Sequence, residues 1–320
     1  MKLIDSANKV DQILNRFMPL CPILGVALGV FLTQVFLDLR PFVPWLFGTM
    51  TLSGALKLRV KELGRAASSP LPFFLFFLNA HILMPLVVFF FSKLIFSNDL
   101  NTISGFVLQY SVPTAVTSFV WVSIFRGDLA LVLAMILLNT ILAPLLVPGT
   151  VQLLLGSSIT LNMTGMVISL LLMIVIPTVA GVATNELSRG KIPSLIGPLL
   201  SPFAKICMVL VIAVNSAAVA PQLRFDNSHI WIIVAACICF NIVGFIFGKF
   251  IGVLGKLDKE KQISLFLSSG LKNSSAAMTI GIEFFPVSTV LPSVLGIMTQ
   301  HTIVAIMGRI LTKNSQRVSE

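Results

Sequence analysis

The chain has 320 residues, 56% of them hydrophobic and only 11% charged, with a formal net charge of +10 and a mean hydropathy of +0.99. Apolar runs of this length and number exclude an ordinary soluble domain, and the longest polar interval, about 56–70, is only a loop. The basic residues fall mainly on alternate short connections, a pattern that sets membrane topology and does not indicate a nucleic-acid partner.

A spanning helix takes about 20 apolar residues. Ten such stretches are expected, at 18–37, 42–57, 71–96, 102–125, 127–154, 161–185, 196–221, 229–254, 261–283 and 286–309. Residues 1–17 contain no uninterrupted apolar core, so they are expected as an amphipathic helix at the interface and not as a cleavable signal. Lysine and arginine alternate between connections. One side carries Lys2, Lys9, Arg16, Lys57, Arg59, Lys61, Arg65, Arg126, Arg189, Lys191, Lys249, Lys256, Lys259, Lys261, Arg309, Lys313 and Arg317, and the other only Arg40, Lys93 and Arg224. The positive-inside rule then puts both termini in the cytoplasm, with 310–320 as a cytoplasmic tail of a multi-pass inner-membrane protein. Cys21, Cys207, Cys237 and Cys239 lie within spans and lack metal spacing, so packing is their expected role and a disulfide framework is not indicated.

Taken in order, the first span is spaced by Gly25 and Gly29, a packing pattern, and closes at Asp38 and Arg40. The second is short and holds Gly48, Ser53 and Gly54. The third carries Asn79 and His81 ahead of Pro85, either as a functional pair or as packing groups satisfied by neighbouring helices. In the fourth, Gln109, Tyr110, Ser111, Pro113, Thr114, Thr117 and Ser118 cluster at mid-span. Pro113 removes a backbone donor and disfavours helix at Val112, so a break is expected there. Arg126, Gly127 and Asp128 make a tight turn into the fifth span, which contains Asn139, Pro144 and Pro148. In the sixth, Asn162, Thr164, Pro177 and Gly181 stand out. Lys205 near the start of the seventh is expected to snorkel to the nearer membrane face. Asn215, Ser216, Asn241, Gln300 and His301 are expected to line a cavity or to join helices by hydrogen bonds.

The ninth span is the organising stretch. It reads LSSGLKNSSAAMTIGIEFFP from Leu267 to Pro286, with Ser268, Ser269, Gly270, Lys272, Asn273, Ser274 and Ser275 inside an apolar run. Hydroxyls, amides and an ammonium are costly in a bilayer, and such a run survives only where it is buried in protein or lines a wet cavity. A broken helix with Lys272 at a central site is therefore expected, with Gly270 supplying backbone freedom. The breaks near Pro113 and Gly270 fall at matching places in two halves, 18–156 and 157–309. Each half has five spans, so the halves enter the membrane in opposite senses. Paired interrupted helices in inverted halves point to the central site of a transporter.

At these two spans the sequence resembles the bile acid:sodium symporter (BASS) family, through SVPTAVTSFVWVSIFRGDLALVLA with LAPLLVP, SSGLKNSSAA followed by EFFP, LFGTMTLSGALKL and ILMP. The resemblance covers nearly the whole chain. It implies an all-α integral membrane protein of ten transmembrane helices in two inverted five-helix repeats, divided into panel and core domains, with discontinuous fourth and ninth helices that cross. It also implies alternating-access transport of organic anions, such as bile-acid-like or pantoate-like carboxylates, and in most members sodium coupling.

Several positions depart from the family's sodium ligands. Aligned on Gly270, the family's glutamate is Ser268 and its glutamine is Lys272, while Asn273 is kept. Aligned on Pro113 and Arg126, the serine of a Ser-Asn pair is Ser118 but its partner is Phe119. Hydroxyl positions on the fifth helix are Val132 and Ile136, and a third-helix glutamine is Ala80, between Asn79 and His81. Losing the carboxylate and most hydroxyls leaves sodium coupling doubtful, and no metal or organic cofactor is expected. An ammonium at Lys272 is expected in the ion's place, donating to broken-helix carbonyls. Desolvation favours a neutral amine, so Lys272 either carries a proton through the cycle, with His81, Asn79 and Ser268 beside it, or stays a fixed charge. The expected substrate contacts are Thr114, Thr117, Ser118, Asn273, Ser274 and Ser275. An enzyme is not expected. A rhomboid-type Ser275–His301 pair lacks the nucleophile setting, HExxH is absent, and no paired aspartates support prenyl transfer. Channel and receptor readings remain as alternatives, and a metalloid exporter would want a cysteine at the fourth-helix break.

Overall fold

The structure, a computed structural model, describes residues 7, 9–12, 14, 17, 20–61, 64, 70–156, 161–223 and 226–316, with side chains to Gly308. Much of the interfacial helix expected over 1–17 lies outside these residues, as do Arg224 and the last four residues of the expected tail. The described residues form helices α1 (Cys21–Phe31), α2 (Thr33–Leu37), α3 (Val43–Ala55), α4 (Pro70–Ile95), α5 (Leu100–Ser111), α6 (Ser118–Ile124), α7 (Leu129–Leu155), α8 (Met163–Leu187), α9 (Lys191–Val219), α10 (Ser228–Leu254), α11 (Lys259–Gly270), α12 (Ser274–Phe284) and α13 (Leu291–Gln316). No strand occurs among them; the only β-pairing is one isolated bridge.

Six described helices are long and apolar enough to cross a membrane: α4, α7, α8, α9, α10 and the segment Val287–Gly308 within α13 and its lead-in. The other four expected spans are short or interrupted. The first is split at Leu32 (φ −116°, ψ 40°), a bend that no proline or glycine in the sequence announces. The fourth becomes α5 and α6, and the ninth becomes α11 and α12. Two ends also differ from expectation. α9 begins five residues early, because Gly190 in the left-handed region (φ 81°) turns the chain directly into it. α13 continues as helix to Gln316, into the segment expected as a tail.

Helix starts follow local chemistry. Asp99, Asp128, Asn162, Asn227, Asp258 and Asn273 stand at the N-caps of α5, α7, α8, α10, α11 and α12, each accepting from a backbone N–H one to three residues into the helix. α4 and α8 each contain a π-helical turn, Asn79–Leu83 and Leu171–Val175, just before Pro85 and Pro177. A proline ring clashes with the carbonyl four residues back, and widening the preceding turn relieves that clash.

The helices pack most closely within two groups, which also touch where α7 meets α8 and α9 meets α12. α9 lies along α1 and α3, and α8 along α3; α10 packs on α11 and α13, and α4 on α5. α1 crosses α9 on a glycine face, where a Cβ on Gly29 would sit 2.1 Å from the Ala213 carbonyl oxygen. Large apolar side chains cover the outside, with Phe31, Trp45, Leu153 and Leu187 more than three-quarters exposed. That surface suits lipid. Cys21, Cys207 and Cys237 are buried and free, as packing requires; Cys239 instead faces outward, on the exposed side of α10.

Candidate functional site

α5 ends at Ser111, and Val112 is extended (φ −64°, ψ 155°) next to Pro113. α11 ends at Gly270, and Leu271 is extended (φ −95°, ψ 101°). The two extended strips meet antiparallel at Thr114 and Lys272. Ala115 N–H donates to Leu271 O and Asn273 N–H to Pro113 O, both at 2.9 Å. The Thr114 hydroxyl faces the carbonyls of Ser268 (2.7 Å) and Leu271 (2.9 Å), groups that the end of α11 leaves without helical donors. Gln300 brackets Lys272 from α13: its Oε1 accepts from Lys272 N–H (3.4 Å) and its Nε2 donates to Lys272 O (3.2 Å). The backbone polarity exposed by the two breaks is thus met within the protein.

Gly270 is needed for space and not, as the sequence reading had it, for backbone freedom. It closes a regular helix without a positive φ, and an added Cβ would lie 2.1 Å from the Phe245 ring on α10.

The Lys272 side chain is 1% exposed, and its Nζ donates to Ala80 O on α4 at 3.2 Å, not to the carbonyls of the broken fourth and ninth helices as expected from the sequence. That carbonyl is short of donors for a reason in the chain. The Met84 N–H, its α-helical partner, goes to Asn79 O instead, and Pro85, the π-helical partner, has no N–H. The ammonium therefore fills a vacancy that ILMP creates. Beside it, His81 Nε2 lies 2.7 Å from Asn139 Oδ1, and the ring stacks on Phe77. Both amide atoms of Asn79, Nδ1 of His81, Nδ2 of Asn139 and the hydroxyls of Ser268 and Ser269 are buried with no hydrogen-bond partner among the described residues. No carboxylate pairs with Lys272 among them. Val132 and Ile136 are buried and apolar.

A cavity of about 550 Å³ opens beside the crossover, between the two helix groups. α3, α8 and α9 form one wall through residues such as Ser53, Thr178 and Met208; the crossover, α7 and α13 form the other. Thr114, Thr117, Lys272, Asn273, Ser274 and Ser275 line it together with Pro113. The Thr117 hydroxyl is buried and has no hydrogen-bond partner among the described residues. Several of the others are engaged: Ser274 Oγ accepts from Gln109 Nε2 (2.6 Å), and Asn273 Oδ1 caps α12 through Ala276 N–H (3.2 Å). Ser118, His81, Asn79, Ser268 and Gly270 do not line the cavity. Ser118 Oγ instead donates to Ala115 O (2.6 Å) and ties down the turn into α6.

Of the other polar residues singled out, Gln300 and His301 line the cavity, whereas Asn215 donates to Thr279 (3.0 Å) and Asn241 to Thr299 (2.9 Å) across helix contacts. Lys205 does not snorkel freely. Its Nζ bonds Asp11 Oδ1 at 2.7 Å, and with Lys57 and Ser201 both residues stand at the cavity's rim. Burial opposes ionisation of the Asp11 carboxyl. Hydrogen bonds from Lys205 and Ser201, with the charges of Lys205 and Lys57, outweigh it and hold the group below the usual carboxylate range. No spacing signal in the sequence links these four positions.

The model of the Sodium Bile acid symporter family matches residues 43–224. An uncharacterized Bacillus subtilis protein, YbaS, is 34% identical over 296 residues, covering 92% of this chain and 97% of its own. The probable chloroplast sodium/metabolite cotransporter BASS1 of Arabidopsis thaliana is 25% identical over 297 residues, covering 90% of this chain and 73% of its own. An uncharacterized sodium-dependent transporter of B. subtilis, YocS, is 20% identical over 294 residues, covering 91% and 89%. A family match over more than half the chain, and a relative this similar along nearly its full length, establish that the chain belongs to the sodium bile acid symporter family.

Proposed function

We propose that this membrane protein is a secondary transporter of small organic anions that works by alternating access without sodium, the ammonium of Lys272 standing where relatives hold the ion. The observation that carries the reading is the Lys272 Nζ contact with the donor-poor Ala80 carbonyl. An ammonium donates hydrogen bonds to such oxygens and needs no carboxylate beside it to do so. Sodium is a hard cation and calls for several oxygen ligands. Here Val132 and Ile136 offer none, and Lys272 itself repels a second cation.

In this reading the chain crosses the membrane ten times, as two inverted repeats over 18–156 and 157–309, with both termini in the cytoplasm. α1, α3, α8 and α9 form the panel and the remaining helices the core. The closer packing of α9 on α1 and α3, and of α10 on α11 and α13, supports that division, as does a cavity at the seam. Rocking of one group on the other would expose the crossover to each side in turn. Thr114, Thr117, Ser118, Asn273, Ser274 and Ser275 belong to the substrate site, Thr117 and Ser275 as direct contacts and Ser118 through the turn it holds. The N-terminal end of α12 adds a positive dipole end facing the cavity. Lys272, with His81, Asn79 and Ser268 behind it, is the coupling element, and a proton is its partner ion.

Saturable uptake of labelled pantoate or taurocholate into proteoliposomes, inhibited by unlabelled organic anions and not by neutral analogues, is the expected result. Binding to the protein without accumulation inside the vesicles would make it a receptor instead. A second reading has one observation in its favour. The buried oxygens of Asn79, Ser268 and Ser269, which have no hydrogen-bond partner among the described residues, would offer ligands to a sodium ion bound beside Lys272.

A further inference from the structure

The rim of the cavity holds a carboxylate site that is already filled by the chain itself. Asp11 lies against Lys205, Nζ to Oδ1 2.7 Å and Nζ to the Asp11 backbone oxygen 3.5 Å. Ser201 donates a hydrogen bond to the same carboxyl group, and Lys57 acts on it through its charge. Lys205 and Asp11 are largely buried, with 14% and 21% of their side chains exposed, and all four residues line the cavity. Two ammonium groups, one hydroxyl donor and one carboxylate thus share the entrance, so the site proper carries an excess of positive charge. A point charge plus a hydroxyl is a set of donors that fits any carboxylate or sulfonate, and it is not specific to an aspartate.

We propose that Lys57, Lys205 and Ser201 form a second anion site at the mouth of the cavity, which receives the acidic group of an incoming organic anion when it displaces Asp11. The inference rests on the anion-transport reading. In the empty protein Asp11 acts as a tethered substitute that keeps the two lysines from repelling each other. The substrate's carboxylate replaces it and is then handed inward, toward Thr117 and the crossover. Asp11 competes with substrate, so the site admits anions and releases them without trapping them.

The test uses Ser201→Cys in a Cys239→Ala background, since Cys239 faces outward while Cys21, Cys207 and Cys237 are buried. The rates of modification are compared for a methanethiosulfonate bearing a sulfonate and one bearing a trimethylammonium, each taken relative to its rate with a small thiol in free solution. The anionic reagent is expected to react about tenfold faster, in line with charge steering into a basic cleft. Asp11→Asn should accelerate it further, Lys205→Gln or Lys57→Gln should slow it, and Lys205→Arg should leave it fast, which separates charge from misfolding. Equal rates for the two reagents, or rates unmoved by Asp11→Asn, overturn the proposal. Labelling reads the mouth alone. A failure here leaves transport standing, and a chain that moves no anion still reports whether its mouth selects them.

Discussion

Lys272→Met is expected to raise the thermal midpoint of the purified protein while abolishing organic-anion uptake. Methionine keeps nearly the length and volume of the lysine stem, so no large cavity opens. What changes is the charge. An ammonium that is 1% exposed and has one neutral acceptor among the described residues, Ala80 O, has given up its water for one hydrogen bond. The penalty for such a buried, unpaired ion is several kcal/mol even after relaxation. Against this, the variant leaves the Ala80 carbonyl without a donor, a loss of about 1–3 kcal/mol. Desolvation is the larger effect, so the fold gains and the midpoint moves up by a few degrees. Function is lost because the cation at the crossover is gone. Differential scanning fluorimetry beside uptake checks both halves; a lowered midpoint would mean that the ammonium has stabilising partners beyond Ala80. Stability set aside for function at one residue is expected at an active site.

Gly270→Ala is expected to lower stability by about 1–3 kcal/mol, the usual result of overpacking, and to reduce uptake sharply. Its Cβ would lie 2.1, 2.3 and 2.4 Å from three atoms of the Phe245 ring. That ring is fully buried and packs on Phe266 at 5.1 Å, so it has little room to retreat. α11 must then move off α10, and it carries Leu271 and Lys272 with it. Phe245→Leu in the same chain should recover part of both losses, a coupling that adjacent residues show and distant ones do not. Gly149→Ala is the control. Nothing lies within 4 Å of a Cβ there, so inside α7 the change should, if anything, stabilise, by up to about 1 kcal/mol.

The two breaks were legible in the sequence because each has a local cause. Pro113 forbids helix just before itself, and a run from Ser268 to Ser275 has too many polar groups to remain lipid-facing. Six helix starts have local causes too, since aspartate or asparagine stands at the caps of α5, α7, α8, α10, α11 and α12. The partner of Lys272 was not legible. It is a backbone oxygen, and Ala80 looks inert until Pro85 and the widened turn before it are seen to strip away both helical donors. The bend at Leu32 has no breaker residue to announce it. Gly270 was singled out correctly but for the wrong property, because a need for space depends on a ring 25 positions away in the chain. Lys205 read as a snorkelling lysine because its partner Asp11 is 194 residues distant. Tertiary contacts of that kind leave no periodicity.

The most direct test of the account is uptake of labelled pantoate into proteoliposomes under a sodium gradient, a proton gradient or neither, for the wild type and Lys272→Gln. The account expects the wild type to transport equally well with sodium or with choline in its place and to be driven by the proton gradient, and it expects Lys272→Gln, which like Lys272→Met lacks the cation, to show no proton-driven uptake. A strict requirement for sodium in the wild type would contradict it, and would mean that other oxygens hold the ion beside Lys272.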